Sequence, residues 1–179
     1  MIFTEARLGG AYTLDLEEKP DDRGFFARTF CRDELEAQGL NPDVAQCNVS
    51  VNHLAGTLRG MHYQVEPATE TKLVRCTHGA ILDVIIDMRP DSPTYLEHVA
   101  VELSRENRRA LYVPGMFAHG YQTLTADAEV SYQVGERYTP GYERGLRHDD
   151  PAFGIEWPLP VSAISEKDAS WPLFEGART

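Results

Sequence analysis

Along residues 128–134 the chain alternates, with Ala128, Val130, Tyr132 and Val134 on one face and Glu129, Ser131 and Gln133 on the other. That two-residue period is the mark of a half-buried strand, so Tyr132 is expected to face an interior. Residues 98–103 repeat the pattern with Val99, Val101 and Leu103 inward. Short apolar and β-branched runs, separated by Gly and Pro, predict further strands at residues 12–17, 25–30, 44–50, 57–64, 72–77, 81–87, 110–113 and 119–124. Arg89-Pro-Asp-Ser-Pro93 and Pro114-Gly115 read as turns. Many short strands with turns at this density predict an all-β sandwich or barrel. Helix is scarce. Residues 33–39 have an Asp to cap a start and a Gly to stop it, residues 143–151 read as loop or one turn, and the tail from Trp157 reads as irregular coil with short helical turns.

One stretch concentrates chemistry. Gly56-Thr-Leu-Arg-Gly-Met-His-Tyr-Gln64, followed by Lys72-Leu-Val-Arg75, gathers Arg59, His62 and Lys72 among strand-like neighbours. A histidine beside two cations can take a proton and stabilise the anion that results. Arg59 and His62 have opposite parity, so a regular strand sends them to opposite faces. Gly60 lies between them, and a bulge there would bring both to one side.

Composition narrows the field. No repeat or linker divides the 179 residues, which predicts one domain over 1–179 with a sizeable core. Acidic residues exceed basic ones by 28 to 17, for a formal charge of −11. That balance argues against a nucleic-acid surface and requires any anionic ligand to be met by locally clustered cations. Cys31, Cys47 and Cys76 have no paired spacing and suit reduced thiols in the cytoplasm. The first residues lack a signal-like apolar run, and the most apolar segment, residues 80–88, is interrupted by Asp83 and Asp87 and is too short to span a bilayer.

Other chemistries are poorly served. A metal-binding β-barrel usually offers two closely spaced histidines, but here His62 is followed by Tyr63 and Gln64, leaving only Glu70 and His119 as further ligands. No metal is expected. No Gly-x-Ser-x-Gly elbow or glycine-rich phosphate loop occurs. A bound phosphate would fall to side chains such as Arg23, Arg59 and Lys167, helped by Gln46 and Asn48. Each residue also has a plain structural reading: His62 as a core histidine, Tyr132 as a core ring with its hydroxyl at the rim, Lys72 as a surface lysine.

The motifs, in order, resemble the dTDP-4-dehydrorhamnose 3,5-epimerase family of cupins. They are Asp22-Arg-Gly-Phe-Phe26, Gln46-Cys-Asn-Val-Ser50, Leu58-Arg-Gly-Met-His-Tyr-Gln64, Lys72-Leu-Val-Arg75, Gly79-Ala-Ile-Leu-Asp-Val84, Phe117-Ala-His-Gly120, Ile155-Glu-Trp-Pro158 and Ser165-Glu-Lys-Asp168. The resemblance implies a jelly-roll barrel, a homodimer with an N-terminal strand exchanged between subunits, and no metal or organic cofactor. It implies a nucleotide-diphosphate sugar as substrate, with His62 as base, Asp168 orienting it, Tyr132 as the opposing acid and Lys72 beside the sugar ketone. It further implies that Arg59 and His119 line the sugar pocket and that Arg23, Gln46 and Asn48 contact diphosphate and nucleotide. Arg23 and Phe26 would reach across from the partner, and Tyr138 would stack on the base. Arg28 stands where the family commonly has Glu, which leaves the base open among thymidine, cytidine, guanosine and uridine.

The expected reaction is proton abstraction beside the C4 ketone of a 4-keto-6-deoxyhexose and reprotonation from the opposite face, at C5, C3 or both. The competing readings are a ketoisomerase or dehydratase on the same fold, and a non-catalytic nucleotide-sugar-binding cupin. Retention of base, carboxylate and inward tyrosine together speaks against mere binding.

Overall fold

Alternating sequences become strands here because each has an apolar face to bury. The computed structural model describes residues 1–176. Its strands are β1 (Ile2–Glu5), β2 (Tyr12–Asp15), β3 (Lys19–Asp21), β4 (Gly24–Phe26), β5 (Gln46–Asn52), β6 (Leu58–Gln64), β7 (Lys72–His78), β8 (Ala80–Asp87), β9 (His98–Ser104), β10 (Ala110–Val113), β11 (Phe117–Thr123), β12 (Ala128–Val134) and β13 (Glu143–Gly145). Two short helices, α1 (Arg32–Ala37) and α2 (Glu166–Ala169), complete the elements.

Six strands form one sheet in the order β1-β2-β10-β7-β12-β5, and five form another in the order β13-β6-β11-β8-β9. The pairings between neighbours in both sheets are antiparallel. The sheets face each other as a jelly roll. Their inner faces meet in a core of Val74, Cys76, Ile81, Ile85, Leu103, Leu111, Val113, Phe117, Tyr121 and Val130, with Val99, Val101 and Tyr132 packed against it. Burying each large aliphatic side chain of this set contributes about 1.5–3 kcal/mol. The outer face of the five-stranded sheet is covered by the coil after β13, through Leu146, Phe153, Ile155, Trp157 and Phe174. Leu35 of α1 packs with Leu14, Leu73, Ala110 and Tyr112 on the outer face of the other sheet.

Several expectations are corrected. The strand predicted over 25–30 stops at Phe26, because β4 pairs only with β3 in an exposed two-stranded hairpin and has no neighbour to continue it. The helix predicted from Asp33 starts at Arg32. Its N-cap is Cys31, which makes no side-chain capping bond, and Asp33 instead sits in the first turn, where its charge suits the helix dipole. Gly39 ends it as expected, with φ at +74°. Residues 143–145, expected as loop, form an edge strand on β6.

Candidate active site

The local geometry of β6 decides what the cavity contains. His62 pairs with His119 of β11, yet the next pair is Arg59 with Tyr121, so β6 carries one extra residue at this point. Gly60 absorbs the bulge at φ +106°, and a Cβ on it would lie 2.6 Å from the His119 carbonyl oxygen. Arg59 and His62 therefore both reach the space between the sheets, as the parity argument required.

That space is a cavity of about 320 Å³. The five-stranded wall contributes Arg59, His62, His119, Gly120, Tyr121 and Glu143, and the six-stranded wall Gln46, Asn48, Lys72, Tyr132 and Val134. His62 and Tyr132 thus stand on opposite walls of one pocket. Asp168 enters from α2, and Glu70 and Tyr138 complete the lining.

The His62 side chain is 35% exposed, and its Nε2 lies 2.7 Å from Oδ1 of Asp168, which is almost wholly enclosed. A carboxylate can only accept, so Nε2 carries the hydrogen and, in the neutral ring, Nδ1 keeps a lone pair that can take a proton. Asp168 is itself fixed: Oδ2 accepts the Gly60 N–H at 3.2 Å, and its main-chain N–H donates to Ser165 Oγ at 3.0 Å. Burial pushes the Asp168 carboxyl up, but the bond from His62 and its charge when protonated, with the Gly60 N–H and the nearby Ser165 hydroxyl, prevail and hold it below the usual carboxylate range.

Two more pairs stand at the walls, one of them backed by a residue outside the lining. Lys72 Nζ lies 2.6 Å from Glu70 Oε1, with both side chains largely buried, and Gln64 Nε2 donates to the other Glu70 oxygen at 3.2 Å. His119 Nε2 lies 2.5 Å from Oδ1 of the fully buried Asp83, whose Oδ2 has no hydrogen-bond partner among the described residues. At the rim, Tyr138 is exposed and its N–H donates to Gln46 Oε1 at 3.2 Å.

Of the residues singled out in the sequence, His62, Asp168, Tyr132, Lys72, Arg59, His119, Gln46, Asn48 and Tyr138 meet in this cavity. Lys167 does not line it; its amine is bound to the lining residue Glu143 at 2.5 Å, one step behind the wall. Arg23 and Phe26 lie on the β3–β4 hairpin outside it, Arg23 paired with Asp21 at 2.6 Å and Phe26 69% exposed. Asp83, Tyr121 and Glu143 were not singled out. The signal for Asp83 was a carboxylate inside an apolar strand, sharing the parity of Ile81 and Ile85. Among the described residues no group of three or more His, Cys, Asp or Glu side chains is placed to hold a metal ion. The Cys76 thiol, pushed up to about 11 by burial, is unsuited to nucleophilic work.

A partly exposed histidine held by a fixed carboxylate, and faced across a pocket by a phenol, suits a jelly-roll isomerase that moves protons on and off carbon. The family model described as dTDP-4-dehydrorhamnose 3,5-epimerase matches residues 5–176, and the chain belongs to that family of epimerases. It is 46% identical over 153 residues to the dTDP-4-dehydrorhamnose 3,5-epimerase of Sinorhizobium fredii, covering 85% of this chain and 78% of the relative. It superposes on the Bacillus anthracis enzyme, solved with TDP and pyrophosphate bound, with a TM-score of 0.92 at 39% identity, over 97% of this chain and 99% of that one. The Legionella pneumophila epimerase in complex with dTDP-4-keto-L-rhamnose gives a TM-score of 0.89 at 35% identity, over 96% and 92% of the two chains. The fold and family expected from the motifs are those found.

Proposed function

We propose that the protein inverts C5 and C3 of dTDP-4-keto-6-deoxyglucose, giving a 4-keto-rhamnose for deoxysugar synthesis. The observation that carries this reading is the placement of His62 with Asp168 and of Tyr132 on facing walls of one cavity. The C4 ketone acidifies the protons on the flanking carbons. His62 takes one of them, Asp168 holds the imidazolium that forms, and Lys72 steadies the negative charge on the enolate oxygen. Tyr132 returns a proton from the opposite side, which inverts the centre.

The nucleotide lies toward the β5 end, where Gln46, Asn48 and the exposed ring of Tyr138 offer amide contacts and a stacking surface. Arg28 favours no change of base there: it is bonded to Glu34 at 2.7 Å and lines no part of the cavity. The protein acts as a homodimer in which the β3–β4 hairpin of one chain, with Arg23 and Phe26, closes the partner's cavity. The exposed rings of Phe25 and Phe26 on that hairpin and the exposed Val49 and Val51 on edge strand β5 support this arrangement. Sedimentation of wild type as a dimer and of Phe26→Asp as a monomer is the expected result.

Incubation with dTDP-4-keto-6-deoxyglucose in deuterated water, followed by proton NMR, tests the activity. Deuterium should enter at C5 and C3 with formation of the inverted sugar. Absence of exchange at both carbons would rule the reaction out.

A further inference from the structure

Tyr121 has no part in that scheme, yet it is a phenol enclosed between the sheets, 2% exposed, opening on the same cavity as Tyr132. Its hydroxyl lies 2.8 Å from Ser50 Oγ and accepts from Asn52 Nδ2 at 3.3 Å. Asn52 is in turn oriented by two groups of fixed polarity. Arg59 Nε can only donate and lies 2.7 Å from Oδ1; the Ala128 carbonyl can only accept and lies 3.1 Å from Nδ2. The amide therefore has one orientation, with its oxygen toward the arginine and its nitrogen toward the phenol. Approaches of Ser50 and Tyr121 to Oδ1, both at 3.5 Å, are too long to compete.

The consequence is a directed chain. Positive charge on Arg59 polarises Asn52, Asn52 donates to the Tyr121 oxygen, and the Tyr121 proton is left to point away from Asn52. Tyr132 packs against the cluster that contains Tyr121. We propose that Tyr121 is a positioning residue for Tyr132, donating a hydrogen bond to the Tyr132 oxygen as that group gives up its proton. In the step concerned, the Tyr132 O–H bond breaks, the enolate electron pair forms the new C5–H bond, and the C4 ketone is restored. Negative charge then rests on the Tyr132 oxygen, held by the Tyr121 hydroxyl, which keeps its own proton. Burial, and next the charge of a Tyr132 phenolate, both oppose ionisation of Tyr121 and keep it a donor. Ser50 holds the hydroxyl between turnovers.

The inference rests on Tyr132 being the donor in the proposed epimerisation, so the experiment separates the two. Wild type, Tyr132→Phe and Tyr121→Phe are incubated with dTDP-4-keto-6-deoxyglucose in deuterated water, and the ratio of C5 inversion to C5 exchange is read by NMR. Tyr121→Phe keeps the ring and removes only the hydroxyl. It should lower the ratio by about 10- to 100-fold, the worth of a hydrogen bond to a charged oxygen, with KM little changed. A merely structural role would lower exchange and inversion together. Asn52→Ala, which unties the hydroxyl from Arg59, should lower the ratio in the same direction, and it carries the test should Tyr121→Phe fail to fold. A ratio that drops in Tyr132→Phe but not in Tyr121→Phe, or not in Asn52→Ala where that variant carries the test, overturns this inference alone. A ratio unchanged in Tyr132→Phe, or no exchange in wild type, overturns both.

Discussion

At the scale of the residue, the proposed reaction depends on a histidine whose hydrogen is placed by a carboxylate and on a glycine that lets that histidine turn inward. Replacing His62 with Ala should lower turnover by roughly 10²–10⁴-fold, the usual worth of a positioned general base, in a steady-state assay. Gly60→Ala should be more disruptive than its size suggests. The new Cβ would meet the His119 carbonyl oxygen at 2.6 Å and the Gly120 Cα at 2.7 Å, at a backbone angle that L residues rarely adopt. A loss of about 1–3 kcal/mol or more in urea unfolding, with a fall in kcat, is the expected pair of outcomes. This bulge was legible in the sequence, since Arg59 and His62 have opposite parity and only a glycine separates the two from a common face. Asp83 was not. Its partner His119 lies 36 positions away on the neighbouring strand, and nothing local to either residue announces the other. Tyr121 escaped notice for a related reason, because an inward aromatic at its position reads as packing until the donors around its hydroxyl are in view.

At the scale of the element, the strands lend the cavity its walls, but the segment that finishes it is short and irregular. α2 starts from Ser165, whose hydroxyl accepts from the Asp168 N–H, and it places that carboxylate under His62. The segment is pinned on both sides of α2. Before it, an isolated bridge joins Ala163 to Thr57; after it, the Trp171 ring covers Gly145 of β13 so closely that a Cβ there would fall 2.0 Å from the indole. Farther on, the Phe174 N–H donates to Asp150 at 2.6 Å, and its ring packs on Phe153 with centroids 5.5 Å apart. Gly145→Ala should therefore lift Trp171 and shift Asp168 three residues away. A fall in kcat of about 10–100-fold, larger than the change in KM, follows from misplacing a catalytic group by about 1 Å. The alternation that revealed β9 and β12 could not reveal β13, since three residues are too few to show a period. The single turn of α2 was foreseen only as one of the short helical turns in the tail, without its place, because its sequence signature is one capping serine.

At the scale of the whole molecule, acid is the expected weakness. Asp87 is wholly buried and accepts from Arg89, Ser92 and Thr94. Burial pushes its carboxyl up, but those bonds prevail and hold it below the usual range, as for Asp168. Both groups titrate lower in the fold than in the unfolded chain, so on acidification the unfolded state takes up protons first. The stabilisation they supply is complete above the ordinary value of 3.8 and is lost as pH falls through the depressed folded values. Urea midpoints measured from about pH 6 down to about pH 2 should fall steeply at the acid end, and more gently in Asp87→Asn. That variant should also cost about 1.5–3 kcal/mol at neutral pH, since it weakens the charged hydrogen bonds that Arg89, Ser92 and Thr94 make to the carboxylate. A sandwich or barrel was legible from the spacing of strands and turns, because each strand must bury a face and two sheets do so most simply on one another; that it is a jelly roll came only through the resemblance of the motifs.

The carboxylate that completes the base also arrives last in the order of synthesis. All of the six-stranded wall, with the phenol and the lysine, and every strand of the other wall but β13 are encoded before residue 135, whereas Asp168 follows some thirty residues of coil and edge strand. A ribosome that stalls or a protease that clips upstream of Ser165 leaves a product with its sheets encoded and His62 without its proton-holding neighbour. On the proposed mechanism, a chain ending before α2 should therefore show little turnover even where its sheets have formed.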